Sequence, residues 1–300
     1  MINTTKNRRG EITTQQIVLL IILIVSFAVI LFFLVRLNLG STSDTEVCHN
    51  SVVSRSSGVI PTESIPLNCK TSYICLSKDG TCEKMTSPKI EKVKTKEEVY
   101  SILAEDMSEC WWQFGEGKLN YISSQFTSDL YCSICYQLAF DDSIDFFENN
   151  EINKNEFYVY LSSTNVSGKD ITYLDYLVGL TSSQTIESTL TSQNANFGKM
   201  SLDKQYYIMM GIFSKVGVVG WIAAGAATTG IVASVILSGG LSIPILIAAG
   251  GGAIAGGVGG YFLGTAFSGD SGHQYLSPTI IEANSKDFNS LNCSSINTLA

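Results

Sequence analysis

The sequence predicts an α-rich membrane protein. It would have an N-terminal transmembrane helix, a mixed α+β outer domain stabilised by disulfides, and a C-terminal Gly-rich transmembrane helical hairpin. Three observations carry this expectation. Three long uncharged apolar stretches interrupt an otherwise polar chain of 300 residues. All eight cysteines lie outside those stretches. Seventeen of the 26 glycines crowd between Gly211 and Gly272. Only 15% of the chain is charged, against about 25% in a soluble domain. The net charge of −8 excludes a generic nucleic-acid binder, because phosphate binding needs a basic face. An apolar content of 45% excludes global disorder.

The first stretch, Ile12 to Val35, has no charge over 24 residues. Its apolar heart, Ile17 to Val35, would span roughly 28 Å as a helix, close to a bilayer's hydrocarbon thickness. Lys6, Arg8 and Arg9 precede it and predict a cytoplasmic N-terminus. A cleaved secretory signal is the rival, but the run is longer than such signals and ends in Phe32-Phe33-Leu34-Val35-Arg36, with no small-residue cleavage site. Residues 1–36 therefore read as a signal anchor.

Residues 37–206 form a polar block with 13 Lys/Arg and 23 Asp/Glu. With the N-terminus inside, this block lies outside the cytoplasm. Cys48, Cys69, Cys75, Cys82, Cys110, Cys132, Cys135 and Cys293 all fall on that side, and an even count there reads as a disulfide framework. The Asp79-Gly80 turn favours Cys69 with Cys82. Cys110 is expected to pair with Cys132 or Cys135. Zinc is the weaker reading, because Cys132-Ser-Ile-Cys135 is a single CxxC and the chain has two histidines, His49 and His273. No metal and no cofactor are expected. Thiol–disulfide exchange at Cys132 and Cys135 is a further alternative, although no parallel-strand pattern is evident around the motif.

Within the block, residues 96–113 read as a helix. Thr95 and Glu98 make a capping box, and Val99, Ile102, Leu103, Met107, Cys110 and Trp111 recur on one face. Gly115 would end it. Of the adjacent Trp111 and Trp112, one is expected in the core and the other at its edge or near the membrane. Tyr73–Leu76 and Thr81–Met85 suggest a small hairpin about Asp79-Gly80, and Lys89–Val93 would extend it. Glu156–Ser162 alternates Phe157, Val159 and Leu161 and reads as a strand. The acidic run Asp141, Asp142, Asp145, Glu148, Glu151 lacks the glycine and glutamate that a calcium loop needs, so it reads as a solvated face. Asn165-Val166-Ser167 fits a glycosylation sequon, and so does Asn292-Cys293-Ser294, whose middle residue is expected in a disulfide.

Residues 207–268 hold the second and third stretches, Val216–Leu237 and Leu241–Ser268, separated by Ser238-Gly239-Gly240. They read as a transmembrane hairpin. Gly252, Gly256, Gly260 and Gly264 recur every four residues and would line one helix face, where another helix can approach closely. Residues 269–300 read as an extracytoplasmic tail. No catalytic constellation or phosphate-binding loop emerges, so no enzyme activity is expected.

Arg9-Gly10-Glu11-Ile12, followed by Thr-Thr-Gln-Gln and a long apolar helix, resembles the class III signal of archaeal type IV pilin-like proteins. The resemblance implies cleavage by a prepilin-type peptidase between Gly10 and Glu11. The wider arrangement, with Cys110-Trp111-Trp112 and Tyr131-Cys132-Ser133-Ile134-Cys135 in the outer domain and a hydrophobic C-terminal hairpin, resembles archaeal membrane-anchored envelope proteins. That resemblance implies location only. The expected function is a non-enzymatic, multi-pass envelope protein with an interaction or scaffolding domain. Its partners would be the lipid bilayer and an envelope protein or a second copy, and not nucleic acid. The alternatives are membrane perturbation by the Gly-rich hairpin and oxidoreductase activity at the CxxC.

Overall fold

The computed structural model describes residues 14–36, 43–58, 66–121, 131–178, 198–214, 245–250, 260–268, 273–290 and 294–295. Gly10, Glu11, Gly252, Gly256, Cys293 and the stretch Val216–Leu237 lie outside them. The chain divides into two units, Met1–Asp44 and Thr45–Ala300.

The first unit contains helix α1 (Thr14–Arg36). Its one polar interior residue, Ser26, returns its hydroxyl to the Leu23 carbonyl at 2.9 Å. Side chains are described from Gln15 to Ile30, and all are exposed. Among the described residues no helix is long and apolar enough to cross a membrane. The expectation of transmembrane helices is therefore corrected for the described residues; the second stretch, Val216–Leu237, is not among them.

The second unit is an α+β fold on a mixed sheet, so the α-rich expectation is also overturned. After α2 (Ser43–Ser56) come β1 (Ser72–Ser77), β2 (Lys89–Lys92), α3 (Lys96–Gln113), β3 (Tyr131–Phe140), β4 (Glu151–Asn153), α4 (Lys154–Ser163) and α5 (Tyr173–Val178). Then follow β5 (Lys199–Ser201), β6 (Tyr206–Ser214), β7 (Ile245–Gly250), β8 (Gly260–Ser268), β9 (His273–Glu282), α6 (Lys286–Ser290) and β10 (Ser294–Ser295). The main sheet runs β2-β1-β3-β6-β9-β8-β7, with β10 beside β3. β1 is parallel to β2 and β3, and β10 is parallel to β3; every other pairing in this sheet is antiparallel. β4 and β5 form a separate two-stranded sheet.

Helix α3 matches its sequence signals. Thr95 caps it by accepting the Glu98 N–H at 3.2 Å, and the Glu98 carboxylate reaches back to the Lys94 N–H at 2.5 Å. Val99, Leu103, Ala104, Met107, Cys110 and Trp111 are buried. They pack with Ile74, Leu76, Leu138, Phe140, Ile208, Met210, Ile212 and Tyr275 of the strands. Trp111 is 1% exposed; burying such a side chain contributes a few kcal/mol. Among the described residues the opposite sheet face carries a small cluster, Cys132, Met209 and Ile281, with Ile134, Tyr207 and Phe288 against it.

Four local expectations change. The turn at Asp79-Gly80 forms, with Gly80 at φ +91, but it leads to no hairpin: β2 returns parallel to β1, not antiparallel. Residues 154–163 are helix, not strand. Asn153 caps it by accepting the Asn155 N–H at 2.9 Å. Phe157 and Leu161, four apart, are buried while Val159 is 56% exposed. The alternation was thus a helical i, i+4 pair with an outward residue between.

The third apolar stretch supplies strands β7 and β8, not a helix. Gly260 faces Gly250 and Gly264 faces Leu246 across the ladder. Residues four apart share a face on a strand as well as on a helix, so the spacing alone did not discriminate. Glycine disfavours helix, and the Ile, Tyr and Phe of these segments suit strands. Finally, residues 269–300 are not a separate tail. They contain β9, which lies between β6 and β8. Against β6, β9 bulges between Leu276 and Thr279, where Pro278 sits; a bulge is where a strand tolerates proline. The sheet therefore crosses the expected boundaries at 206/207 and 268/269.

The helical assignment of residues 154–163 is checked by two substitutions. Leu161→Ala should lower the unfolding free energy by about 2–5 kcal/mol, and Val159→Gln should change it by less than about 0.5 kcal/mol, in urea unfolding followed by circular dichroism. Similar large losses at both positions would restore the strand.

Candidate interaction site

The cysteines position the central elements. Cys48 is bonded to Cys69, Cys75 to Cys82, and Cys110 to Cys135. Cys132 is disulfide-bonded too, and the remaining cysteine, Cys293, lies outside the described residues. The expected Cys69–Cys82 bond is corrected. β1 brings Cys75 next to the turn, seven residues from Cys82, while Cys69 lies before the strand and meets α2. Of the two partners considered for Cys110, it takes Cys135.

The CxxC lies in the middle of an antiparallel pairing, not at a helix start. The β3–β6 register shifts between Ile134 and Tyr136, making Cys135 the extra residue of a bulge. Before the bulge, Cys132 and Ile134 face the small cluster; after it, Tyr136, Leu138 and Phe140 face α3. Cys135 joins the α3 side and Cys132 the other. The two sulfurs are therefore held on opposite faces with separate partners, which removes the vicinal dithiol that exchange chemistry requires.

Around α3 lies a belt of tyrosine–glutamate hydrogen bonds. Tyr136 of β3 donates to Glu109 Oε2. Tyr173 of α5 donates to Glu105 Oε2 at 3.3 Å. Tyr100 of α3 donates to Glu156 Oε2 of α4 at 3.2 Å. Tyr176 of α5 donates to Glu116 Oε1 at 2.6 Å. Burial first, and then the adjacent carboxylate, raises each phenol's pKa, that of Tyr173 to about 12. The four hydroxyls therefore remain donors over the neutral range.

Glu116 sits in an unusual backbone. Gly115, Glu116 and Gly117 have φ of +75°, +55° and +69°. A Cβ at Gly115 would stand 2.5 Å from the Leu119 side chain, so this turn requires glycine there. Burial opposes Glu116's charge, but hydrogen bonds from Lys118 and Tyr176 and the nearby Lys169 hold its carboxyl below the usual range. Lys169 Nζ stands 3.8 Å from the Tyr176 ring centroid.

Asp106 of α3 is 7% exposed, and its Oδ2 is buried without a hydrogen-bond partner among the described residues. Burial, reinforced by Glu109, Glu91 and Glu105 and opposed by Lys89, pushes its carboxyl well above the usual range. It is the buried member of an acidic face whose other carboxylates the tyrosines orient.

The acidic run after β3 is occupied by its own cations. Lys78 pairs with Asp145 and Lys84 with Asp142, both at 2.6 Å. Asp141 accepts the Ser143 N–H at 3.0 Å. Among the described residues no three His, Cys, Asp or Glu side chains converge to hold a metal. Trp111 is in the core, and Trp112 lies at its edge, stacked on His49 at 4.0 Å between ring centroids. His49 Nδ1 lies 2.8 Å from the Trp112 carbonyl oxygen, so α2 caps the end of α3. Asn165 is exposed in the turn between α4 and α5. Gly260 and Gly264 lie on β8.

No protein family, curated protein or solved structure matches the chain. Sequence reasoning missed the tyrosine–glutamate belt, because its partners are 27 to 68 residues apart. It also missed Asp106, whose burial breaks no periodic pattern.

Because Asp106 binds its proton more tightly folded than unfolded, its contribution is fully present below the ordinary carboxylate pKa of 3.8 and is lost as pH rises toward the folded value. Asp106→Asn should flatten that decline between pH 5 and pH 8, by at most a little over 1 kcal/mol per pH unit. Urea midpoints of both proteins across that range test it. Parallel profiles would remove Asp106 as the titrating group.

Proposed function

We propose that this chain is a non-enzymatic cell-envelope protein. Its disulfide-stapled second unit works outside the cytoplasm as an interaction or scaffolding domain, and α1 associates with the lipid bilayer. The observation that carries the reading is that all seven described cysteines are in disulfides. Such bonds persist in oxidising compartments and are rare in the cytosol. For α1, the support is apolarity on every side. Ile17, Leu19, Leu23, Phe27 and Ile30 are 47–66% exposed. A helix with no polar face fits an apolar solvent better than a protein groove, which covers one side only.

The partner-binding surface is assigned to the acidic side of α3. Glu105 is exposed, Glu109 half-buried, and hydroxyls from other elements orient both. Preorientation lowers the entropy lost when a partner docks. The chemistry suits a basic protein surface. With a net charge of −8 the chain repels nucleic acid.

Intact cells treated with a membrane-impermeant reductant and then a polymer-linked maleimide should give a chain shifted by eight tags. The untreated chain should not shift. The chain should also stay with membranes through an alkaline carbonate wash, and deletion of residues 14–36 should release it. Free thiols that label only after lysis would overturn the location. A full-length chain released by the wash would overturn the role of α1.

A further inference from the structure

We infer that Asn165 is a glycan attachment site, displayed on a rigid turn between α4 and α5. The inference rests on the proposed placement of this domain outside the cytoplasm, where oligosaccharide transfer to asparagine takes place.

The sequon alone is a permissive signal; its setting is what gives it weight. Asn165 bridges Thr172 in a short antiparallel pair. The Val166 N–H donates to the Ile171 carbonyl, the Lys169 N–H to the Val166 carbonyl, and the Tyr173 N–H to the Thr164 carbonyl, each at 2.9 Å. Val166 is buried at 8% exposure and anchors the turn from beneath. Its two sequon neighbours, Asn165 and Ser167, are both exposed.

The space above the turn is open. Gly168 has φ +72°, and nothing lies within 4 Å of where its Cβ would be. Lys169 and Asp170 are also exposed, so residues 167–170 are polar or small and present no apolar surface for a sugar to cover. The turn is braced from the core side by Tyr173, whose hydroxyl meets the Ser167 backbone amide and the Glu105 carboxylate. A glycan here would project into solvent without disturbing a packed contact.

The reaction requires a lipid-linked oligosaccharide as donor. The Asn165 side-chain nitrogen bonds to the anomeric carbon of the first sugar, and the bond from that carbon to the lipid phosphate oxygen breaks. The amide proton goes to solvent, and the polyprenyl phosphate leaves with the electron pair. No oxidant or reductant takes part. The second sequon is set differently, because its Ser294 lies in β10 and pairs with Tyr131 of β3. It is not part of the proposal.

The test is mass spectrometry of the full chain purified from its native envelope, with the peptide containing Asn165 analysed alongside a non-reducing disulfide map. We expect added saccharide mass on Asn165, lost in Asn165→Gln and in Ser167→Ala and kept in Ser167→Thr, which preserves the hydroxyl. An unmodified peptide from a chain with its disulfides intact would overturn the attachment site and leave the compartment standing. An unmodified peptide from a chain with free thiols would overturn both. Saccharide retained in Ser167→Ala would show that the sequon is not what directs the attachment.

Discussion

The fixing of α3 across the sheet sets the arrangement of the second unit. Three interactions hold it there. Its apolar face buries Leu103, Met107 and Trp111 against β3, β6 and β9. The Cys110–Cys135 bond ties it to the middle of β3; closing a 25-residue separation contributes about 3.5 kcal/mol in the chain-entropy account. The tyrosine–glutamate bonds fasten β3, α4 and α5 to it, and the Gly115–Gly117 turn to α5. Removing the helix would leave the first sheet face bare and the acidic carboxylates without orientation.

The bulge at Cys135 links this packing to chemistry. One extra residue inverts the facing of β3, so Cys135 and Tyr136 both reach α3 while Cys132 serves the opposite face. Cys132 and Cys135, three positions apart, would fall on opposite faces of a regular strand as well; what the bulge adds is Tyr136, placed where its hydroxyl meets Glu109. A regular strand would have turned Tyr136 toward the small cluster and left Glu109 unbraced.

The two edges of the sheet differ in kind. β2 is Lys-Ile-Glu-Lys and mostly exposed, the charged edge that discourages pairing with other chains. β7 at the far edge is Ile-Leu-Ile-Ala-Ala-Gly, without charge.

Several features were legible in the sequence because they are local. The capping box and a one-face apolar repeat specified α3 to the residue, since cap, period and stop all lie within twenty positions. The even cysteine count outside the apolar runs pointed to disulfides, and Cys110 was expected with Cys132 or Cys135. Other features depend on distant partners. Residues 154–163 carry a pattern compatible with helix or strand, and the Asn153 cap with burial of Phe157 and Leu161 decided it. The Gly-rich stretch satisfies helix and strand equally by period, and pairing with β9 decided that β8 is a strand. β9 itself looks like a polar tail until β6 supplies its hydrogen bonds. A helix closes its hydrogen bonds within its own sequence, while a strand closes them against residues that only the tertiary fold brings near.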